Sequence, residues 1–118
     1  MTVTPPTEPV RSPREVFAHH LGAFAEGLDS LVSDYSEDSR IFLRDQTVKG
    51  LDGIRAFFDA FLKDIQPGFW EAFKIVRQDV NGDVAYLIWE APPFVAQATD
   101  TLLIRDGKIH VQTFTVLA

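Results

Sequence analysis

The strongest constraint on the fold comes from two turn signals in the C-terminal half of the chain. Asn81-Gly82 and Asp106-Gly107 each lie between runs of apolar, β-branched or aromatic residues. Such dipeptides favour tight β-hairpins, because Asn, Asp and Gly tolerate the positive φ that the turns require. Pro92-Pro93 separates the two segments. The chain after Phe69 is therefore predicted to form two antiparallel hairpins of long strands.

The N-terminal half has helical periodicity. A first helix is predicted from Ser12, the N-cap, to about Gly27, with Pro13 at its first position and Glu15 in its first turn. The clearest helix opens at Asp52. Its apolar residues recur at helical spacing and are Ile54, Phe57, Phe58, Phe61, Leu62 and Ile65. Pro67-Gly68 is predicted to end it.

The segment between these helices combines two short elements. Asp29 is predicted to cap a second helix that carries Leu31 and Tyr35 on one face. Residues 40–44 are predicted to form a strand, followed by a polar turn through Gly50. The fold class is therefore α+β, with three N-terminal helices packed on one face of a curved, mainly antiparallel sheet.

Composition limits the number of domains and the classes of function. Residues 1–11 are rich in proline and are predicted to be a disordered tail, whereas residues 12–118 are long and apolar enough for one globular domain. The absence of cysteine excludes thiol chemistry. A net charge of −6 with scattered basic residues argues against nucleic-acid binding. No stretch is apolar enough to span a membrane, and we expect a cytoplasmic protein.

The second hairpin assigns residues to the two faces of the sheet. With a two-residue turn at Asp106-Gly107, the cross-strand pairs on one apolar face are Ile104 with Ile109, Leu102 with Val111, and Asp100 with Thr113. Asp100 is thus predicted to point into the apolar side. A desolvated aspartate has a raised pKa and suits proton transfer near neutral pH. The alternative is a structural carboxylate capped by Thr113 or a backbone amide.

Other polar residues could join Asp100. His20 lies beside the apolar stripe of the first helix and is the inward candidate, although a core histidine satisfied by a neighbour is commoner. His19 and His110 are predicted to face solvent, and histidines so dispersed make a poor metal site. Asp45 shares the parity of the preceding strand and either reaches the cavity or begins a turn, which is the commoner role.

The predicted cavity is lined mainly by apolar side chains. Glu90 either lines it or lies at an exposed strand end. The large aromatic residues could contact a ligand, although they are more often core residues. The remaining predicted lining residues are Phe17, Phe24, Tyr35, Phe57, Phe61, Trp70, Trp89, Leu102 and Thr113.

Four segments together resemble a known family. They are residues 26–29, 35–38, 49–57 and 99–109, which read EGLD, YSED, KGLDGIRAF and TDTLLIRDGKI. Across about residues 12–116 the chain resembles the SnoaL-like branch of the nuclear transport factor two (NTF2-like) superfamily, which includes ketosteroid isomerases and polyketide cyclases. The resemblance implies a cone-shaped α+β barrel with a pocket between helices and sheet. The scaffold hosts unrelated activities, so it says little about chemistry.

The resemblance also implies roles for individual positions. Asp100 matches the protonated oxyanion-hole aspartate of ketosteroid isomerases, and His20 falls near their oxyanion tyrosine. Their general base corresponds to Leu43, which cannot take a proton, with Asp45 two residues later. Steroid isomerisation is therefore not expected unless Asp45 substitutes.

The expected function is binding of an apolar or aromatic small molecule, with cofactor-independent isomerase, cyclase or dehydratase chemistry at Asp100. The alternative is a non-catalytic NTF2-like binding or dimerisation module. No cofactor and no metal are expected. A homodimer is expected, because the family commonly dimerises through the outer sheet face and residues 69–91 carry apolar side chains on both faces.

Overall fold

The computed structural model describes residues 10–117. The first half contains α1 (Pro13–Glu26), α2 (Leu28–Val32), β1 (Tyr35–Phe42), β2 (Thr47–Lys49) and α3 (Gly50–Asp64). The second half contains α4 (Phe69–Ala72), β3 (Lys74–Asn81), β4 (Val84–Ala91), β5 (Val95–Arg105) and β6 (Lys108–Leu117). Of the predicted tail, residues 1–9 lie outside the described residues. Arg11 contacts the domain, since its guanidinium donates to the carbonyl of Gly107 at 2.8 Å.

The strands form one six-stranded sheet in the order β2-β1-β6-β5-β4-β3. β1 runs parallel to β6, and the other neighbours are antiparallel. The helices contact strands from both halves of the sheet and cover one of its faces. The predicted α+β architecture is thus confirmed. The opposite face has no helix against it in the described part of the chain.

The main helices form where their sequence signals lie. Ser12 and Glu15 make a reciprocal capping box at the start of α1, with Pro13 in the first turn. α3 begins at Gly50, two residues before the predicted start, and ends three residues before Pro67. These signals act locally, which explains why sequence patterns alone located the helices.

The region between α1 and α3 departs from the prediction. Tyr35 does not continue α2 but begins β1, because the backbone N–H of Ile109 donates to the carbonyl of Asp34 at 2.7 Å and aligns the chain with β6. β1 ends at Phe42 rather than residue 44, and Asp45 lies in the bend that follows. The predicted polar turn contains the short strand β2, and α4 precedes the first hairpin where strand was predicted.

The second hairpin has the predicted turn but not the predicted register. Asp106 and Gly107 have φ values of 53° and 73°. Ile104 pairs with Ile109 as expected, whereas Leu103 pairs with Val111, which leaves His110 as the extra residue of a β-bulge. The bulge moves the rest of β6 by one residue. The pairs that follow are Leu102 with Gln112, Thr101 with Thr113, and Asp100 with Phe114.

This shift reverses the faces of β6. Gln112 is buried at 3% exposure, on the same side of the sheet as Leu102 and Asp100. Thr113 pairs with Thr101 and faces the other side, so the prediction that Thr113 lies beside Asp100 is wrong. Side chains alternate along a strand, and one inserted residue therefore exchanges the inner and outer sets. In the first hairpin, Asn81 pairs with Val84, so the turn residues are Gly82 and Asp83.

Candidate functional site

A cavity of about 70 Å³ lies between the helices and the inner face of the sheet. The cavity is lined by seven of the residues that the sequence predicted there: His20, Phe24, Phe57, Phe61, Trp70, Trp89 and Asp100. Seven others were not expected there: Leu21, Phe58, Phe69, Phe73, Leu87, Gln112 and Phe114. The walls are thus aromatic, with a few polar groups from α1, β5 and β6.

Asp100 carries the acidic group of this cavity. The indole Nε1 of Trp89 donates to its Oδ1 at 2.9 Å, and Nε2 of Gln112 donates to its Oδ2 at 2.9 Å. Burial raises the pKa of Asp100 to about 6, and the hydrogen bonds from Trp89 and Gln112 oppose that rise. Since both oxygens accept hydrogen bonds, the geometry suits the carboxylate, which predominates at pH 7.

The amide of Gln112 is oriented by a second residue. The hydroxyl of Tyr35 donates to its Oε1, which leaves Nε2 free to donate to Asp100. Burial raises the pKa of Tyr35 well above its ordinary value, so the phenol stays protonated and remains a donor. Tyr35 itself does not line the cavity. The hydrogen bonds from Tyr35 to Gln112 and from Gln112 to Asp100 therefore fix the position of the carboxylate.

His20 is the second titratable residue of the cavity wall. It is 4% exposed, and its Nδ1 has no hydrogen-bond partner among the described residues. Its ring packs edge-on against Phe24, Phe58 and Tyr35, with centroids 5.4 to 6.1 Å apart. Burial lowers the pKa of His20 to about 4, although the nearby charge of Asp34 opposes the shift. The imidazole is therefore neutral at pH 7.

The aromatic rings interlock around these polar groups. Most neighbouring pairs are edge-to-face, as between Phe24 and Phe61, and this arrangement places ring edges against ring faces. Trp89 and Phe114 are parallel, with centroids 6.2 Å apart. Trp70 is 43% exposed and is the most accessible ring of the lining. The rings fill most of the cone and leave a narrow cavity.

Several residues expected in the cavity lie elsewhere. Phe17 and Leu102 are buried in the core, and Glu90 alternates with Trp89, on the opposite side of β4. Thr113 is moved by the bulge to the opposite face of the sheet. Asp45 is exposed in the bend between β1 and β2 and is not among the residues that line the cavity with Asp100. The alternation of side chains between the two faces of a sheet holds only as far as the last paired residue of the strand, which is Phe42 in β1.

A second polar cluster, centred on Asp34, was not predicted from the sequence. Asp34 is fully buried, and its Oδ2 lies 2.7 Å from Nδ1 of His19. Nη1 of Arg11 lies 3.0 Å from Oδ1, an ion pair without hydrogen-bond alignment. Nε2 of His19 lies 3.3 Å from Oγ of Ser30. His19, expected to face solvent, is thus tied to a buried carboxylate; the clustering of Arg11, His19 and Asp34 depends on tertiary packing and has no local signal.

Within residues 10–117, no group of three or more His, Asp or Glu side chains is arranged to hold a metal ion. No helix in this part of the chain has the length and hydropathy to cross a membrane.

Comparisons with known proteins identify the fold. No protein-family model matches the sequence, and no curated protein is significantly similar to it. Among solved structures, a candidate polyketide cyclase from Sinorhizobium meliloti superimposes with a TM-score of 0.69 at 17% identity, over 84% of this chain and 92% of the other. A candidate isomerase of the SnoaL-like family from Agrobacterium tumefaciens gives 0.63 at 17% identity, over 87% and 95%. An NTF2-like protein of unknown function from Burkholderia xenovorans gives 0.68 at 18% identity, over 88% and 81%.

Proposed function

The chain has the NTF2-like fold that its sequence resemblance implied, and we propose that it binds a small molecule and catalyses a cofactor-independent proton transfer on it. The reaction class is isomerisation, cyclisation or dehydration. The observation that carries this proposal is Asp100, a carboxylate in an aromatic cavity with a pKa raised to about 6. Two structural neighbours support the reaction class: one is named as a candidate polyketide cyclase, and the other as a candidate isomerase of the SnoaL-like family.

Asp100 acts as the general base in this mechanism. A base is most effective when its pKa lies near the working pH, because it is then ionised and still holds a proton well. Trp89 and Gln112 hold both carboxylate oxygens in place, so little reorganisation is needed when the proton moves. The protonated form returns the proton to another atom of the ligand, which completes an isomerisation or dehydration without a cofactor.

His20 acts as the hydrogen-bond partner of the ligand. A neutral imidazole carries one N–H donor and one acceptor, and burial keeps it neutral here. Its ring lies in the same cavity wall as Asp100. A donor at this position would stabilise the negative charge that develops when Asp100 removes a proton from carbon. Asp45 has no part in the mechanism, because it is exposed in a surface bend.

The small size of the cavity favours one alternative. An engineered protein cavity of about 150 Å³ accepts benzene, whereas the cavity here measures about 70 Å³. A ligand larger than a few heavy atoms therefore requires ring movement. The second candidate function is a non-catalytic NTF2-like module whose cone is filled by its own aromatic side chains.

Two measurements test the proposed function. The first is the pKa of Asp100, which NMR titration of its carboxyl carbon measures. A pKa near the ordinary 3.8 would remove the basis for acid–base catalysis. The second is a thermal-shift screen of small carbonyl compounds and phenols with wild type and Asp100→Asn. Ligands that depend on Asp100 support the proposal. Asp45→Asn is the matched control, since it removes an exposed carboxylate and is expected to bind as wild type does.

The outer face of the sheet supports a homodimer. Tyr86, Ile88, Leu103 and Val111 share this face, which no helix covers in the described chain. These apolar side chains lie beside threonines of the same face, such as Thr101 and Thr113. Apolar surface exposed to water is unfavourable, and a second copy would cover it. Sedimentation equilibrium tests this: wild type should be dimeric and Leu103→Asp monomeric with unchanged circular dichroism. A monomeric wild type would refute the dimer. The cytoplasmic location remains a prediction from the sequence.

A further inference from the structure

The candidate site holds a negative charge without a counter-ion. Asp100 is the acidic residue in the lining, and no Lys or Arg side chain of the described chain lines the cavity. The groups that hold its carboxylate, Trp89 and Gln112, are neutral donors. Buried charges in proteins are normally paired, because hydrogen bonds from neutral groups replace only part of the lost hydration. The cavity is therefore complementary to a positive charge.

The other walls also attract a cation. The face of an aromatic ring carries partial negative charge, and a cation near it is stabilised most by Trp and then by Tyr and Phe. Trp70, Trp89 and several Phe side chains line the cavity. His20 does not oppose a cation, since burial keeps its imidazole neutral. Phenolic or alcoholic ligands would satisfy the hydrogen bonds of Asp100 but would leave its charge uncompensated.

We propose that the cavity binds a small alkylammonium cation, with the ammonium group against Asp100 and its alkyl groups against the rings. This inference rests on the proposed function, because it uses the same ligand site and names the class of ligand. Each oxygen of Asp100 accepts one hydrogen bond in the structure, and an ionised carboxylate has about four acceptor positions. The protein donors therefore do not saturate the carboxylate, and its charge remains available to a cation, including a quaternary ammonium that has no N–H to donate.

The volume of the cavity selects the size of the cation. About 70 Å³ is less than half of the ~150 Å³ that accommodates benzene. A group with four or five heavy atoms, such as trimethylammonium, is close to this limit, whereas fused rings exceed it. The substrate of the proposed proton transfer would accordingly carry its acidic C–H bond next to a methylated nitrogen.

The test compares a cation with a neutral molecule of the same shape. Choline and 3,3-dimethylbutan-1-ol each present a compact end of four heavy atoms, trimethylammonium or tert-butyl, which is the part that has to enter the cavity. They differ by the exchange of the quaternary nitrogen for carbon, so their binding to wild type isolates the effect of charge. Isothermal titration calorimetry at pH 7.5 and constant ionic strength gives both affinities, and the shift of the Trp89 Nε1–H resonance reports the location. We expect choline to bind about ten-fold more tightly than the alcohol.

Three variants separate the contributions. Asp100→Asn should remove the preference for choline, and Asp45→Asn should keep it. Trp70→Ala is a second test that spares the buried network, because Trp70 is 43% exposed; it should weaken choline binding more than alcohol binding. Equal affinities in wild type, a preference that survives Asp100→Asn, or no binding of either compound would each overturn the proposal.

The two proposals, cation binding and proton transfer, can fail independently of each other. If Asp100 has a pKa near 6 and carbonyl compounds bind in an Asp100-dependent manner, proton transfer stands even when choline shows no preference. If the pKa of Asp100 is ordinary and choline is nevertheless preferred, the cavity is a cation-binding site without acid–base catalysis.

Discussion

Asp100 lies opposite Phe114 on β6, one residue beyond the partner that an uninterrupted hairpin would give it. The offset arises at His110, the extra residue of the bulge. As a result, Gln112 faces inward and donates to Asp100, while Tyr35 fixes the orientation of the amide. A single inserted residue therefore determines which polar groups surround the carboxylate.

Replacement of Gln112 by leucine should both destabilise the protein and change the titration of Asp100. The substitution leaves the hydroxyl of Tyr35 and one oxygen of Asp100 without their partner, at a cost of about 2–3 kcal/mol in the free energy of unfolding. Because the lost hydrogen bond lowers the pKa of Asp100, that pKa should rise above about 6. Urea unfolding and NMR titration measure the two effects.

Thr113→Val is the matched control for this experiment. Thr113 neighbours Gln112 in sequence but faces the other side of the sheet. We expect a change in unfolding free energy within about 0.5 kcal/mol and no change in the pKa of Asp100. A larger effect at Thr113 than at Gln112 would mean that the bulge is absent in solution.

The stability of the protein should depend on pH through two opposing groups. The folded pKa of Asp100 is raised from 3.8 to about 6, so its contribution to stability is full below pH 3.8 and is lost as pH rises through 6. The folded pKa of His20 is lowered from 6.5 to about 4, so its contribution is full above pH 6.5 and is lost as pH falls through 4. Between pH 4 and 6 the first contribution falls with pH and the second rises by a similar amount, so their sum should change little.

Variants at these residues should reveal the two slopes separately. Asp100→Asn leaves the contribution of His20, and the unfolding free energy should then rise with pH by about 1 kcal/mol per unit between pH 4.5 and 6. His20→Phe leaves Asp100, and the free energy should fall with pH by a similar amount. Urea unfolding at several pH values provides the measurement. Parallel pH profiles for the two variants would show that neither pKa is shifted in this way.

Asp34→Asn should weaken the connection between the N-terminal segment, α1 and β1. Asp34 is fully buried and lies against His19 and Arg11. Removal of its charge leaves the guanidinium and imidazole without their shared partner, and since both are about one-third exposed, water compensates in part. We expect a loss of about 2 kcal/mol, measured by thermal or urea unfolding.

Asp29→Asn is the comparison for Asp34. Asp29 also forms an ion pair with an arginine, Arg55, at 2.8 Å, but its side chain is 91% exposed. Exposed ion pairs contribute little, so the change should be below about 1 kcal/mol. Similar losses for the two substitutions would contradict the view that burial gives the Asp34 cluster its importance.

Leu87→Ala should enlarge the cavity beside Asp100. Leu87 is buried and lines the cavity, whereas Leu102 is equally buried but does not. Both truncations should cost about 2–5 kcal/mol. Only Leu87→Ala should also improve the binding of phenol, because it adds space next to the carboxylate. Calorimetry with phenol distinguishes the two variants, and equal gains would place the ligand outside the cavity.

The two long helices and the turn of the second hairpin could be predicted because their signals are local. The capping box of Ser12 and Glu15 and the turn at Asp106-Gly107 each specify backbone geometry within a few residues. The inward position of Asp100 followed from counting back along β5, which has no irregularity between the turn and Asp100 on that strand. Sequence alone therefore determined the fold class and the central carboxylate.

Other features depended on contacts between distant segments. The bulge at His110 adjusts β6 to its neighbours, and a sequence count of alternate residues cannot detect it. Tyr35 became a strand residue because β6 offers it parallel pairing. The volume left between the rings is a small difference between large packed volumes, and residue types alone do not specify it. Tertiary structure thus decided which groups surround Asp100 and how little space lies beside it.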